Sequence, residues 1–512
     1  MSASSQRRVI DGVLFGYLQF VLDGAVRLLT IPFFLGVLGP QLMGLRAAVL
    51  ELVGYLQVAN PGTAQSMQAI VEKEVRDGKA PAHDPKVNER LAVGRWLQTG
   101  IAILTFAAAA WIAFHLDALT DELTPEEAQS AILFTLAYGV VIAVTLLGAH
   151  HSSLLAGLQR HRNHQLCFMA MQLTTAVTSI LLVLVGYRLG GLGVAAIIGA
   201  ALFYFMRRHF AAQLDFSMPR PPLLPRLSVM KDILGMSGWM LAATLGGAMV
   251  LQSFRMIASL LPGMGLETAN AVAILFVMPY LVSQLLNWIG FIVRPTLAAK
   301  YHAGELGDDL WPTVSTYLKL TACMSLITFI AGGVTNKAFV DVWVGSEYWA
   351  GADANIALCA MLAVRITNAA LQNLLYIRGD MRLRGQLCLF EGFGVLALAI
   401  VGGLQYGVAG IFLGAAGFML LVSLPVGFVL VARQFALAQH PATVALKTLW
   451  YPVLLIATYL IVKDYLAVPE GGWVMLLGWS ALIGLGLFVA ILPFLWGPMR
   501  PFTQRYTQRF GF

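Results

Sequence analysis

Charge is what this chain lacks most. Only 12% of its 512 residues are Asp, Glu, Lys or Arg, about half the roughly 25% of a soluble domain. A soluble chain of this length would form about three domains, each with a charged shell, and these residues cannot supply one. Cysteine is scarce too: Cys167, Cys323, Cys359 and Cys388 are the four present, all inside or at the edge of apolar stretches. That excludes a disulfide framework or a zinc pattern and leaves them as small packing residues. No GxxxxGK[ST] occurs, which excludes ATP hydrolysis by the usual phosphate-cradling loop. Long hydrophilic segments are missing as well. The widest gaps between apolar runs, near 66–91, 208–231 and 294–314, are each about 25 residues or fewer, too short for a soluble catalytic domain.

What the chain has is apolar length. Apolar residues make up 58% of it, with 50 Gly and 28 Phe, and the mean hydropathy is +0.76. Glycine is commoner in membrane helices than in soluble ones. Runs of the roughly 20 residues that cross a bilayer recur about fourteen times: 12–37, 42–65, 92–116, 130–154, 167–188, 190–207, 232–257, 270–293, 315–335, 353–376, 386–405, 408–432, 446–466 and 472–496. The expectation is an all-α integral membrane protein with about 14 transmembrane helices. Its start, MSASSQRRVIDGVLFGYLQF, is basic but has no small-residue cleavage site, so it reads as the first span rather than a removed signal peptide.

Lys and Arg set the orientation. With both termini cytoplasmic, only Arg188, Lys337 and Lys463 fall in outer loops, and Arg27, Arg46, Arg255 and Arg365 within spans. The rest of the 33 are assigned to inner loops and tails. Asp117, Asp121, Glu122, Glu126 and Glu127 cluster outside, between spans 3 and 4. The net charge of +7 therefore reflects topology, and no nucleic-acid partner is expected.

Three matches at nearly one offset indicate an internal duplication. AAVLELVGYL (47–56) resembles VAILFVMPYL (272–281), Gln165-Leu166-Cys167 recurs as Gln386-Leu387-Cys388, and GVAAIIGAA (193–201) resembles GVAGIFLGAA (407–416). The offset equals six spans, which preserves orientation. The expected organisation is a parallel 6+6 repeat: an N-lobe over 1–207, a basic, proline-rich cytoplasmic linker over 208–231, a C-lobe over 232–432, and a C-terminal helix pair with its tail over 433–512. Two like lobes around a central site are the usual architecture of an alternating-access transporter.

The ionisable residues inside the spans are Arg27, Arg46, Arg255, Arg365, Asp23, Glu51 and Glu391. An arginine at mid-bilayer costs roughly 2.5–3.5 kcal/mol unless it meets water, a carboxylate or an anion. Asp23 and Arg27 are four apart, on one helix face, and can pair. Glu51 lies five after Arg46, a poorer geometry. Arg255 sits toward the outer end of its span and could snorkel, and Arg365 has no acid within one turn. Two readings stay open: structural ion pairs with snorkelling ends, or a cationic cavity between the lobes. Guanidinium grips phosphate through two parallel hydrogen bonds and cannot lose its proton. A pyrophosphate-bearing substrate would explain why arginine, not lysine, fills all four positions. The candidate binding set is Arg27, Arg46, Arg255 and Arg365, with Asp23 and Glu51 as orienting or coupling carboxylates. No metal or cofactor is expected. His150, His151, His161 and His164 read as a hydrated basic loop in preference to a metal site, and Asp308-Asp309 as a solvated turn.

Residues 28–45, LLTIPFFLGVLGPQLMGL, resemble the opening of the bacterial polysaccharide-exporter or lipid-linked oligosaccharide flippase family: an Ile-Pro, then Leu-Gly-Pro, then an aromatic-Gly-Leu turn. Met43 replaces the usual aromatic, and Asn60-Pro61-Gly62 stands where Asp/Leu-Gly is common. LLAGLQRHRNHQ (154–165) looks like the family's Gln-Gly-aromatic loop, and GVAGIFLGAA like its span-12 signature. The resemblance implies the multidrug/oligosaccharidyl-lipid/polysaccharide (MOP) exporter fold, two six-helix lobes forming a V, here with two added helices. In the related peptidoglycan-precursor flippases, arginines on spans 1, 2 and 7 line the cavity, and Arg27, Arg46 and Arg255 occupy comparable spans here. The implied activity is alternating-access transfer of an undecaprenyl-diphosphate-linked oligosaccharide from the inner to the outer leaflet of a bacterial inner membrane. Driving force would come from H+ or Na+ or the membrane potential, and the polyprenyl tail would stay among membrane lipids. The rival readings are a cation-coupled drug exporter of the same superfamily and a membrane polymerase or glycosyltransferase. Such enzymes usually need a large outer loop or an acidic pair in the first outer loop, and that loop is roughly Gly39-Pro40-Gln41 here. The C-terminal pair, uncharged over 472–496, is either a groove for the tail or lipid-facing padding.

Overall fold

The computed structural model describes residues 3–58, 64, 67, 68, 71, 72, 85–116, 123–214, 225–307, 309–377, 381–437, 439–462, 468 and 471–510. Among them every regular element is helical. Among the described residues, twelve helical stretches are long and apolar enough to cross a membrane, and the chain is a multi-pass membrane protein. Two stretches, Leu14–Gln57 and Met381–Gln434, exceed the roughly 17–25 residues of one crossing. Both are broken, the first at Gly39 (φ 80°), the second at Tyr406 and Gly407 (φ 63°). Counted by halves, the helices match the fourteen apolar runs.

The breaks follow from residue chemistry. Glycine enters the left-handed region without a Cβ clash, and Pro40 right after Gly39 starts a new helix with its φ already set. Thr124 starts helix Pro125–Leu147 through a capping box, its side chain accepting from the Glu127 N–H while Glu127 accepts from the Thr124 N–H. Two apolar runs hid further breaks. Helix Pro125–Leu147 gives way at Gly148 to short helix Ala149–Gly157. Helix Leu227–Leu251 stops at Gln252 (φ −121°), and short helix Phe254–Leu260 follows.

The chain divides into two compact units, Met1–Leu260 and Leu261–Phe512. In the first, helices His161–Leu184 and Arg188–Ala212 pack as a hairpin, and Pro85–Phe114 packs on Pro125–Leu147; Leu45, Val49, Phe134 and Leu146 form part of the core. Helix Leu227–Leu251 and its short continuation Phe254–Leu260 fall within this first unit. Contacts from the second helix, the part of the first stretch after Gly39 (40–57), tie them there.

In the second unit, helix Trp311–Trp343 is central, packed against Leu266–His302, Ala352–Tyr376, Pro441–Val462 and Gly472–Phe510. Asn336 Nδ2 donates to Asn355 Oδ1 (2.8 Å) and to the Leu275 carbonyl (3.0 Å), the interhelical polar bonds expected where water is absent. The C-terminal pair is part of this unit: Tyr459, Leu487 and Ile491 pack with Phe329 and Ile330. Its other face, with Ile461 and Val474 exposed, suits lipid. All four cysteines are free and buried, as packing residues should be.

Two pairs among the left-handed glycines are spaced much as the sequence matches are. Gly39 (φ 80°) and Gly263 (φ 78°) are 224 residues apart, and Gly186 (φ 101°) and Gly407 (φ 63°) are 221 apart. The first pair sits at the junctions after spans 1 and 7, the second at those after spans 5 and 11. These turns support a duplicated chain. Asn60-Pro61-Gly62, Asp117, Asp121, Glu122, Asp308, Lys463, most of 66–84 and 215–224 of the linker lie outside the described residues.

Candidate functional site

Asp23 and Arg27 pair as their spacing predicts, Arg27 Nε donating to Asp23 Oδ2 at 3.0 Å. Gln172, on helix His161–Leu184, donates to the other Asp23 oxygen at 2.9 Å. Asp23 is thus held from two helices, while Arg27 keeps 52% of its side chain exposed, enough to accept another ligand.

Glu51 departs from expectation. It is not a distant partner for Arg46: it pairs with Arg255, Nε to Oε1 at 2.7 Å, and its Oε2 accepts the Met256 N–H at 2.8 Å. Arg255 therefore does not simply snorkel to the outer surface. The two residues lie 204 positions apart, and no local spacing rule could join them.

Arg46 is left over. It is partly buried, it feels the charges of Arg27 and Arg255, and the phenol of Tyr138 is its other close electrostatic neighbour. Among the described residues no carboxylate pairs with it. Three arginines thus share this region of the first unit with two carboxylates, both already engaged, which leaves one guanidinium in surplus. Such a group binds an anion if one is offered.

The second unit holds Arg365 on helix Ala352–Tyr376. Asn368 and Gln372 follow at three and seven residues, on the same helix face. Both amides donate to Glu391, Asn368 at 2.5 Å to Oε1 and Gln372 to Oε2, and Glu391 is 3% exposed. Glu391 also attracts Arg365, whose Nε and Nη1 are buried with no hydrogen-bond partner. Sequence reasoning missed Asn368 and Gln372. Their signal was there, polar residues at helical spacing from an arginine inside an apolar run. Arg27, Arg46 and Arg255 are therefore gathered in one unit, while Arg365 belongs to the other with its own carboxylate.

His150, His151 and His164 do not sit in a hydrated loop. His150 is 5% exposed and its ring lies 3.9 Å from that of His151, while His164 sits edge-on to Phe168. Arg207, buried, lies over the face of Phe203 at 3.7 Å and donates to Ser152. On the short helix beyond Leu147, burial and the nearby Arg207 charge push His151 down to about 4. No group of three or more metal-ligating side chains occurs among the described residues.

An apolar groove of about 1080 Å³ runs beside Leu424, Phe428, Leu446 and Trp450, with Arg433 and His440 among its lining residues. It is formed by 420–453, so of the C-terminal pair it uses the first helix rather than 472–496.

No protein-family model matches the chain, and no curated protein resembles it closely enough in sequence to count as a match. Solved structures do resemble it. A lipid II flippase MurJ, in an inward closed conformation, superposes with a TM-score of 0.68 at 12% identity, covering 96% of this chain and 100% of that one. The fold is that of the MOP transporters. A multidrug resistance MATE transporter of the MOP superfamily, inward-facing, gives 0.64 at 13% identity over 82% of this chain and 94% of its own. A MOP superfamily transporter from Pyrococcus furiosus gives 0.56 at 12% identity, over 84% and 94%. At these identities the likeness is one of fold, and the neighbours are transporters and flippases rather than enzymes.

Proposed function

We propose that the chain is a flippase that moves a polyprenyl-diphosphate-linked oligosaccharide, of the undecaprenyl type, from the cytoplasmic to the outer leaflet of a bacterial inner membrane. Both termini lie in the cytoplasm, and the two halves work as a parallel repeat by alternating access. The observation that carries this reading is Arg46, an intramembrane guanidinium with two arginines in electrostatic reach and, among the described residues, no carboxylate of its own. Arg27, Arg46 and Arg255 take the diphosphate, Asp23 keeps Arg27 oriented while the site is empty, and Glu51 serves as the coupling carboxylate toward H+ or Na+. Arg365, considered within its own unit, is a further guanidinium with free donors. The apolar groove at 420–453 takes the tail, its Arg433 and His440 suiting an anionic lipid.

The likeness to MATE transporters favours a second reading, cation-coupled drug export. A site with surplus arginine repels organic cations, so the flippase reading stands first. The test measures export of lipid-linked sugar alongside membrane abundance for Arg27→Ala, Arg46→Ala and Arg365→Ala. Normal abundance with lost export in Arg46→Ala supports the flippase; drug efflux with unimpaired lipid export supports the exporter.

A further inference from the structure

One face of the second helix splints a broken one. Glu51, Gly54 and Tyr55 lie at i, i+3 and i+4 and share a face. All three meet the junction where helix Leu227–Leu251 ends and Phe254–Leu260 begins. Glu51 holds Arg255 at 2.7 Å and the Met256 N–H at 2.8 Å. Tyr55 bonds to Ser253, whose hydroxyl also donates to the Met249 carbonyl at 2.8 Å. The side-chain oxygen of Gln252 lies so close to Gly54 that a Cβ there would meet it at 3.0 Å. Glu51 is 3% exposed and Ser253 fully buried, so water cannot take over these contacts cheaply.

From this arrangement we infer that Glu51 is a proton-operated latch on the anion site. Ionised, it occupies Arg255 and fixes the start of the short helix. Protonated, it loses the charge that holds both, and Arg255 turns to the incoming anion. The proton comes from water and rests on a Glu51 carboxyl oxygen; no other bond changes. Arg255, from the short helix, is the charge that faces Glu51 across the junction, and Tyr55, one turn on along its own helix, is the other titratable neighbour. Arg46 acts on Arg255 rather than on Glu51, so its repulsion also favours handing Arg255 to an anion. Proton and anion then help each other bind, by the reciprocity that any linkage requires. The inference rests on the anion reading above, but its first readout does not.

The experiment uses the full chain in lipid nanodiscs. Hydrogen exchange over 252–260, expressed as protection relative to the intrinsic rate at each pH, is compared at pH 7.5 and 5.5. A latch predicts roughly tenfold lower protection at pH 5.5 in the unmutated protein, and low protection at both pH values in Glu51→Gln. Inorganic pyrophosphate is then titrated into both proteins. Its own protonation is common to the two, so their difference isolates Glu51. Glu51→Gln should bind several-fold tighter at pH 7.5 and equally at pH 5.5, and Arg255→Ala in the same background should remove the gain. Protection independent of pH in the unmutated chain overturns the latch, whether or not the variant accumulates. Pyrophosphate binding that is the same in both proteins at both pH values overturns the coupling while leaving the anion site standing. Normal latch behaviour in exchange with no pyrophosphate binding by any variant would instead refute the anion reading and confine Glu51 to the helix junction.

Discussion

Each unit buries arginine and glutamate within its helices, but the two solve the electrostatic problem in opposite ways. In the first, both carboxylates face arginines: Asp23 takes Arg27 and Glu51 takes Arg255, and Arg46 remains. In the second, the carboxylate is taken by neutral amides. Asn368 and Gln372 fill both oxygens of Glu391, and Arg365 keeps two donors without acceptors while lying in its field. Charge left over on an arginine surrounded by arginines invites a mobile anion. Charge balanced inside a network of amides and one carboxylate holds helices together. The same residue types thus leave a guanidinium without a carboxylate in the first unit, and in the second a carboxylate held by amides beside an arginine that keeps free donors.

Glu391 is where the second unit is most vulnerable. Removing one side of a buried charged network strands the other, at about 3–5 kcal/mol. Glu391→Ala should lower membrane abundance and thermal stability sharply, while Asn368→Ala should cost less. A stable, abundant Glu391→Ala protein would show that the second unit is not held by this network. Next in size is Arg27→Lys. It keeps the charge but loses the planar fork, so substrate retention should fall partway toward that of Arg27→Ala. Full activity with lysine would mean that Arg27 acts as a point charge only. Gly407→Ala should destabilise by roughly 1–3 kcal/mol, because its φ of 63° with ψ of −147° is a conformation that glycine alone adopts readily, and Gly186→Ala should behave alike if the two turns are equivalent. Thermal unfolding of both variants checks the duplication; unequal effects would set the turns apart.

The smallest effect concerns His151. Its folded value of about 4 lies below the ordinary 6.5, so the folded chain binds fewer protons than the unfolded one. Stability from this group is whole above pH 6.5 and is lost as pH falls through about 4. His151→Asn should therefore flatten the decline in unfolding temperature between pH 7 and 5, by under about 1 kcal/mol after solvent screening. An identical decline in both proteins would show the ring to be already solvated.

Much of this was legible in the chain itself. Hydrophobic length marks the spans because a helix alone satisfies its backbone in lipid, and Gly39-Pro40 and Tyr406-Gly407 mark two junctions by chemistry that is local. The pairing of Asp23 with Arg27 is local as well. Glu51 with Arg255 is not, and neither is Gln172 with Asp23; such partners are set by which helices meet. The histidines misled for the same reason. His164 is polar by composition, but packing places its ring against Phe168 and Phe203.

In the flippase we propose, the surplus guanidinium of Arg46 holds the diphosphate. Its most direct measure is the dissociation constant of a polyprenyl diphosphate lipid from the purified protein in nanodiscs, for the unmutated chain and for Arg46→Ala of equal stability. A charge-assisted bond contributes roughly 1.5–3 kcal/mol, so Arg46→Ala should weaken diphosphate binding about tenfold or more, with binding of the uncharged polyprenyl alcohol unchanged. Equal affinity for the diphosphate in both proteins would contradict it.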